Sequence, residues 1–231
     1  YIKLEASVDK KMEETRSKII TTVLNQESLG NISSRDKTII TGLNERNNMK
    51  HNPEYKAVPA KIWPLFKVHK LSAEQIENRV VPPQRFINAA KFGPLYRLGQ
   101  WSSPHLTTIS RAYCSEEFIL DTPNLLDQIE EFNREPPEGN LLIATLDVEA
   151  LYPSINPQLA LTAMLEAFSE DTTTSAGVKS ALKDFTKLSF EESCVTFRGH
   201  CYKPLIGIPT GGCDSRQIAD IFLHWLLFTK I

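Results

Sequence analysis

The chain opens with apolar residues at helical spacing. Met12, Ile19 and Val23 recur among polar residues and predict an amphipathic helix over 4–28. Ser33 or Ser34 provides a cap signal for a second helix. The following "NNMKHNPEYKAVPA" has no apolar period and predicts a loop, so residues 1–58 are expected to form an N-terminal helical extension.

The middle of the chain changes to shorter apolar runs. "KIWPLFKVH", residues 61–69, predicts a strand interrupted by Pro64, and "LSAEQIENR" predicts a polar connection. The pattern of apolar residues over 85–101 changes from one typical of a strand to one typical of a helix. Thr122, followed by Pro123, is expected to cap another helix.

The second half mixes strand and helix patterns without regular spacing. "LLIATLDV", residues 141–148, predicts a buried strand, and residues 193–205 alternate around "RGH" as a β-hairpin does. Helices are expected after Asn156, over 175–190, and from Asp214 or Ser215 onward. The absence of a regular βαβ order favours the α+β class.

Charge is unevenly divided along the chain. The net charge is −2, but residues 1–100 hold 17 Lys and Arg against 10 Asp and Glu, a net of +7. A basic half joined to an acidic half indicates one surface that attracts phosphates and another that carries carboxylates; chance segregation of solvated charge gives the same pattern.

Other compositional features narrow the class of protein. No apolar run reaches the roughly 20 residues of a membrane span, so no membrane partner is expected. The cysteines show no zinc-binding spacing and are expected to be reduced structural thiols in an intracellular protein. The chain starts on Tyr1 and stops within an apolar stretch, as a piece of a larger polypeptide would.

The apolar run at 141–148 contains an aspartate, Asp147, where the strand should end. An ionised carboxylate there is costly unless it is paired or binds a cation, and Mg²⁺ prefers one or two carboxylates together with substrate phosphates. A carboxylate that caps the next turn explains the residue equally well. Glu149 is either a weak second ligand or a solvated residue.

Tyr152 follows the carboxylate by one tight turn. Its ring could stack under a sugar and exclude a 2′-hydroxyl by size, or it could be an ordinary core aromatic. "GIPTGG", residues 207–212, is a glycine loop before a helix, which suits close approach to a nucleotide or a nucleic-acid backbone. It lacks the P-loop spacing.

Cations are concentrated around the strand at 61–69. Lys67 and His69 are expected to alternate onto one face, with Lys70, Arg79 and Arg85 nearby. Such cations could clamp a triphosphate. They could equally protect an exposed edge strand.

The order of these features resembles that of reverse transcriptases, most closely the Penelope-like retroelement group, which is related to telomerase. "LFKVHK" is similar to that group's Pro-Lys-Ile-His-Lys, and residues 82–106 are similar to its Arg-Pro-Ile-Val-Ser block. "LDVEALYPSINPQLAL" resembles the first palm motif, Leu-Asp-Val-x-x-Leu-Tyr-x-x-Ile-Pro. "GIPTGGCDSRQIADIFL" resembles the second, Gly-x-Pro-Met-Gly-Ser-x-x-Ser-x-x-Leu-Ala-Asn. The resemblance covers about residues 59–228.

The resemblance implies a right-hand polymerase fold, with fingers over 59–135 and a partial palm over 136–231. The reaction implied is RNA-directed DNA synthesis, in which a primer 3′-hydroxyl attacks the α-phosphate of a dNTP at a site holding two Mg²⁺ ions. Asp147 takes the position of the catalytic metal ligand, helped by the Val148 carbonyl, and Tyr152 takes that of the sugar gate.

The resemblance also assigns substrate contacts. Lys67 and Arg85 would neutralise the triphosphate, and Gly211 would approach the nucleotide or template. The residues expected to touch nucleic acid are Lys70, Arg79 and Ser215. The implied partners are an RNA template with a DNA primer, a dNTP, and the remaining palm and thumb of the same protein, in an intracellular, nuclear location.

The chain departs from the family pattern in several places. Thr210, Cys213 and Arg216 replace the expected residues, and no Asp-Asp pair occurs anywhere in the 231 residues. Because two-metal chemistry needs the carboxylates of that third palm motif, this segment is expected to be inactive alone. A catalytically dead nucleic-acid-binding or assembly module, and a globular interaction domain without a nucleic-acid role, remain as alternatives.

Overall fold

The fold was analysed in a computed structural model, which describes residues 1–42, 60–89, 93–114, 122–136 and 144–229, together with 119, 139 and 142. The chain forms a helical body with a small sheet against it. The mixed α+β class predicted from the sequence is confirmed, while the polymerase fold stays a prediction. The predicted loop over 47–60 lies outside the described residues except for Ala60.

The two N-terminal helices form as predicted, because both have strong caps. Helix α1 (Val8–Ser28) begins at Ser7, whose side chain accepts a hydrogen bond from the Lys10 amide. Helix α2 (Ser34–Thr41) begins with a reciprocal capping box between Ser33 and Asp36. It ends at Gly42, whose φ of 68° suits a left-handed C-cap.

Seven further helices lie in the described ranges. Their bounds are α3 (Ala73–Glu77), α4 (Tyr96–Tyr113), α5 (Thr122–Arg134), α6 (Leu151–Ser154), α7 (Pro157–Glu170), α8 (Ala176–Glu192) and α9 (Ser215–Thr229). Helix α7 begins after Asn156, whose side chain accepts hydrogen bonds from the next two free amides. The predicted polar connection over 71–79 instead contains helix α3, because Ser72 and Gln75 form a capping box there.

The sheet has the order β1-β5-β4-β2-β3. Its strands are β1 (Ile2–Lys3), β2 (Lys61–Phe66), β3 (Gln84–Ala89), β4 (Val195–Phe197) and β5 (His200–Lys203). All neighbours are antiparallel except β2 and β4, which meet in parallel at Lys61 and Thr196. Beyond Lys61, the only described strand that pairs with β2 is β3, so the other edge of β2 is open among the described residues. Pro64 has no amide hydrogen to donate, and a strand tolerates such a residue at an open edge.

The predicted β4–β5 hairpin is confirmed. Its two turn residues, Arg198 and Gly199, have φ values of 48° and 78°. Positive φ at both central positions is the geometry of a two-residue type I′ turn, whose twist matches that of the flanking strands. The "RGH" signal in the sequence therefore marks the turn itself.

The main hydrophobic core is helical. It is built from α1, α2, α4, α7, α8 and α9, with Leu106, Met164 and Phe185 among its fully buried side chains. Ile19 and Val23 of α1 belong to it, and β1 pairs with β5. The N-terminal helices and the second half of the chain therefore share one core.

Helix α9 packs in this core as its sequence predicts. Ile218 and Phe222 are buried, and Leu226 is partly buried against them. The Trp225 indole N–H donates to Glu166 of α7 over 2.9 Å, which satisfies a polar group at the edge of the core.

Candidate nucleotide-binding site

Asp147 lies in an exposed segment, residues 144–148, that is neither helix nor strand. The prediction of a buried strand over 141–148 is therefore wrong for the described residues. Leu142 and Leu146 are 91% and 99% exposed, and no described strand pairs with this stretch. A β-prone sequence needs a neighbouring strand to satisfy its backbone groups, and the described residues provide none here.

A sharp turn separates Asp147 from Tyr152. Ala150 has φ 53° and ψ 45°, a left-handed conformation that costs an alanine roughly 1–2 kcal/mol. The turn leads directly into the short helix α6. Tyr152, the second residue of α6, is partly buried and packs against the main core, while Asp147 and Val148 stay exposed.

The glycine loop lies against this turn. The Gly207 amide donates to the Ile155 carbonyl and the Ile208 amide donates to the Tyr152 carbonyl, both over 2.9 Å. These two bonds join the stretch that contains Tyr152 to the stretch that contains Gly211. The two parts of the sequence with the palm-motif resemblance therefore meet in the fold.

Gly207 permits this contact for two reasons. Its φ is +95°, which favours glycine, and a Cβ there would lie 2.9 Å from the Pro153 backbone. A methyl group would have to displace main-chain atoms. Gly211, further along the same loop, is partly exposed, so the loop presents some of its main chain at the surface.

The end of the loop is buried where α9 begins. Ser215 is only 3% exposed, and its hydroxyl lies where a Cβ on Gly212 would be. This packing disfavours the predicted contact between Ser215 and nucleic acid. Asp214 precedes it and accepts the Ile218 amide through its carbonyl, as an N-cap residue does.

The predicted cations lie on the hairpin of residues 61–89, here called the basic hairpin. Leu65 pairs with Arg85, and the Lys67 amide donates to the Pro83 carbonyl over 2.8 Å. Lys67 and Arg85 therefore lie near the same end of the hairpin. Their contact with a triphosphate stays a prediction.

The predicted alternation of Lys67 and His69 along a strand is wrong. Strand β2 ends at Phe66, and Val68–Lys70 forms a 3₁₀ turn. Lys70 lies in this turn, and Arg79 follows α3 with φ +53°. In the described chain, none of Lys67, Lys70, Arg79 and Arg85 forms an ion pair, and the last three are exposed.

The described residues do not assemble a complete metal centre. They contain no group of three His, Cys, Asp or Glu side chains close enough to hold an ion. Nor does a hydrogen bond among them join the basic hairpin to residues 144–148. Asp147 thus supplies one accessible carboxylate, and a two-ion site needs further carboxylates from elsewhere in the protein.

Asp214 is the acidic residue that sequence reasoning missed. It is 8% exposed, and burial raises the pKa of its carboxyl against the opposing effect of a hydrogen bond from its own amide. The neighbouring Cys213 thiol also has a raised pKa, mainly because of burial and then because of Asp214. An aspartate at the start of a helix predicts an N-cap. The burial of Asp214, however, depends on its packing against α4, and the sequence around residue 214 does not reveal that packing.

No family model matches the chain, and no curated protein or solved structure matches it. Among the described helices, none has the length and apolar character needed to cross a bilayer. Function therefore has to be argued from the site itself.

Proposed function

We propose that this chain forms the fingers and the N-terminal part of the palm of a reverse transcriptase, an RNA-directed DNA polymerase. The observation that carries the proposal is the pair of 2.9 Å hydrogen bonds between the Tyr152 turn and the glycine loop. These bonds bring together two stretches, far apart in sequence, that each resemble a palm motif. A nucleotide site built on this contact would combine the exposed Asp147 carboxylate, the Tyr152 ring and the accessible backbone of the glycine loop.

Each residue has a chemical role in this proposal. Asp147, with the Val148 carbonyl, would hold Mg²⁺ together with carboxylates from the rest of the palm. Bound Mg²⁺ would neutralise charge on the phosphates. Tyr152 is held by packing against the core, so its ring could distinguish deoxyribose from ribose by size. Gly211 lies in the loop that would approach the nucleotide.

The basic hairpin would bind phosphate groups. Residues 61–89 contain five Lys and Arg against two Glu, a net of +3. Lys67 and Arg85 lie near the same end of the hairpin and would contact the triphosphate, while the exposed Lys70 and Arg79 would contact the nucleic-acid backbone. Since their charges are not neutralised by ion pairs among the described residues, they are available to phosphate.

Binding of a labelled RNA–DNA primer–template hairpin to the 231-residue chain tests this role. Fluorescence anisotropy over a series of salt concentrations should show affinity that falls steeply with salt, because bound phosphates release their counterions. The double variant Lys70→Gln/Arg79→Gln should bind more weakly, with a log–log salt slope reduced by roughly one for each phosphate that is no longer neutralised. Lys183→Gln, an exposed cation on α8, is the matched control and should leave the slope unchanged.

A reverse-transcriptase-like nucleic-acid-binding module without catalysis is a second candidate. It is favoured by the lack of any Asp-Asp pair in the 231 residues and by the lack of a group of three metal-binding side chains among the described residues. This candidate predicts the same salt-dependent binding as the polymerase does. It differs in predicting that the protein with its full palm does not extend a primer. Failure to bind the duplex even at low salt would contradict both candidates and favour an interaction domain with no nucleic-acid role.

A further inference from the structure

A cavity of about 60 Å³ lies behind the glycine loop, bounded by the start of α4, the end of α8 and the start of α9. Its walls are largely apolar. Met12, Leu95, Phe190, Pro209 and Ile218 are among the residues that line it. Asp214 and Glu192 also line it, so two acidic residues border a largely hydrophobic pocket.

Two acidic residues line this cavity, and only one of them has cationic partners among the described residues. Glu192 is held by Lys11 at 2.7 Å and Lys18 at 2.6 Å. Asp214 has no Lys, Arg or His of the described chain within ion-pair distance. Its carboxyl group accepts a hydrogen bond from its own amide, which leaves further acceptor capacity on a residue that lines the cavity.

The surroundings of Asp214 are fixed by close packing. A Cβ on Gly99 of α4 would lie 3.2 Å from its Oδ1 atom, and a Cβ on Gly212 would lie at the same distance. Two glycines thus leave room for the carboxyl group between α4 and the loop.

An ionised carboxylate in such a place is costly without a countercharge. The pocket does not suit a divalent metal ion, because such an ion needs about six oxygen ligands. The described residues contain no group of three His, Cys, Asp or Glu side chains that could hold an ion. A largely apolar pocket in which one acidic residue has no cationic partner among the described residues instead suits a cation that carries a small alkyl group. A cavity of roughly 150 Å³ holds benzene, so about 60 Å³ corresponds to a ligand of two or three heavy atoms.

We propose that the cavity behind the glycine loop is a binding site for a small primary ammonium group, with the Asp214 carboxylate as its counter-ion. The alkyl carbon would contact the apolar walls and the ammonium group would donate to Asp214. The cavity shares the glycine loop with the proposed nucleotide site, but this proposal does not depend on the nucleotide assignment. A small alkylamine or the end of an extended amine chain fits this description.

Titration of the ¹⁵N-labelled chain with ethylammonium chloride tests the proposal. Sodium chloride replaces the ligand salt so that ionic strength stays constant. Saturable shifts are expected for the amides of residues 212–215, and Asp214→Asn should weaken binding by about thirtyfold or more. Circular dichroism and thermal unfolding check that the variant is folded.

Two further ligands keep the test decisive if Asp214→Asn does not fold. Ethanol has the same size without the charge, and tert-butylammonium has the charge but exceeds the cavity. Neither should produce the saturable shifts in the wild-type chain. Absence of saturable ethylammonium binding, or equal binding of ethanol, would overturn the proposal. The result does not bear on nucleic-acid binding, which is measured without any amine.

Discussion

Gly207 and Pro153 lie in backbone contact: a Cβ atom at residue 207 would be 2.9 Å from both the Cα and the carbonyl oxygen of Pro153. The contact holds the glycine loop against helix α6, next to the two hydrogen bonds that join residues 207–208 to the Tyr152 turn. The proposed placement of Tyr152 and the glycine loop in one nucleotide site depends on this junction. Its strength can be measured without any ligand.

Replacement of Gly207 by alanine should destabilise the chain by about 2–5 kcal/mol. About 1–2 kcal/mol comes from the left-handed backbone and about 1–3 kcal/mol from the clash with Pro153. Gly199→Ala is the control, since its φ is +78° but nothing lies within 4 Å of a Cβ there. Urea unfolding should show a clearly larger loss for Gly207→Ala; equal losses would mean that the close approach is unimportant.

Glu192 should contribute strongly to the attachment of α1. Its carboxylate is 3% exposed and accepts hydrogen bonds from Lys11, Lys18 and Thr15. Glu192→Gln should cost about 2–4 kcal/mol, because it leaves the ammonium groups without their counter-ion. Glu191→Gln, at an exposed pair with Lys187, should cost less than about 0.5 kcal/mol. Chemical denaturation at neutral pH measures both.

The same residue should make stability depend on pH. Burial alone would raise the pKa of Glu192, but the hydrogen bonds from Lys11, Lys18 and Thr15 outweigh it and lower the pKa below 4.5. The folded state then binds fewer protons, so this stability is present above pH 4.5 and is lost as the pH falls through the folded-state pKa. The difference between wild type and Glu192→Gln should therefore shrink on acidification; a constant difference would contradict the assignment.

Much of the fold could be predicted because it is encoded locally. The Ser33–Asp36 capping box, Asn156 before Pro157 and the turn at Arg198–Gly199 each specify an element within a few residues. The strand over 141–148 could not be assigned from its own residues, since a strand requires a partner. Among the described residues that stretch has none, and Leu146 is almost fully exposed.

The candidate site was predicted only in part, for the same reason. The residue types at Asp147, Tyr152 and Gly207 could be selected from the sequence, but their relative placement depends on contacts between distant segments. The hydrogen bond from Ile208 to Tyr152 is one such contact. The burial of Asp214 against Gly99 is another, and it gave no local signal.

Tyr152 should control the choice of sugar if the proposed function is right. Tyr152→Ala, in the protein with its complete palm, should raise ribonucleotide incorporation relative to deoxyribonucleotide by about tenfold or more, since a smaller side chain leaves space for the 2′-hydroxyl. Tyr152→Phe keeps the ring and should keep the discrimination. Single-nucleotide incorporation with dNTP and rNTP in parallel measures the ratio. An unchanged ratio for Tyr152→Ala would assign the ring to core packing alone.

Primer extension on an RNA template by the protein with its complete palm tests the central claim most directly, with Asp147→Asn compared against Glu149→Gln. Both residues are exposed, so neither change should disturb the fold. The account predicts that Asp147→Asn lowers the extension rate by about a hundredfold or more, because a metal ligand is removed, while Glu149→Gln retains most activity. Extension by Asp147→Asn at the wild-type rate would contradict the assignment of this chain to a reverse transcriptase.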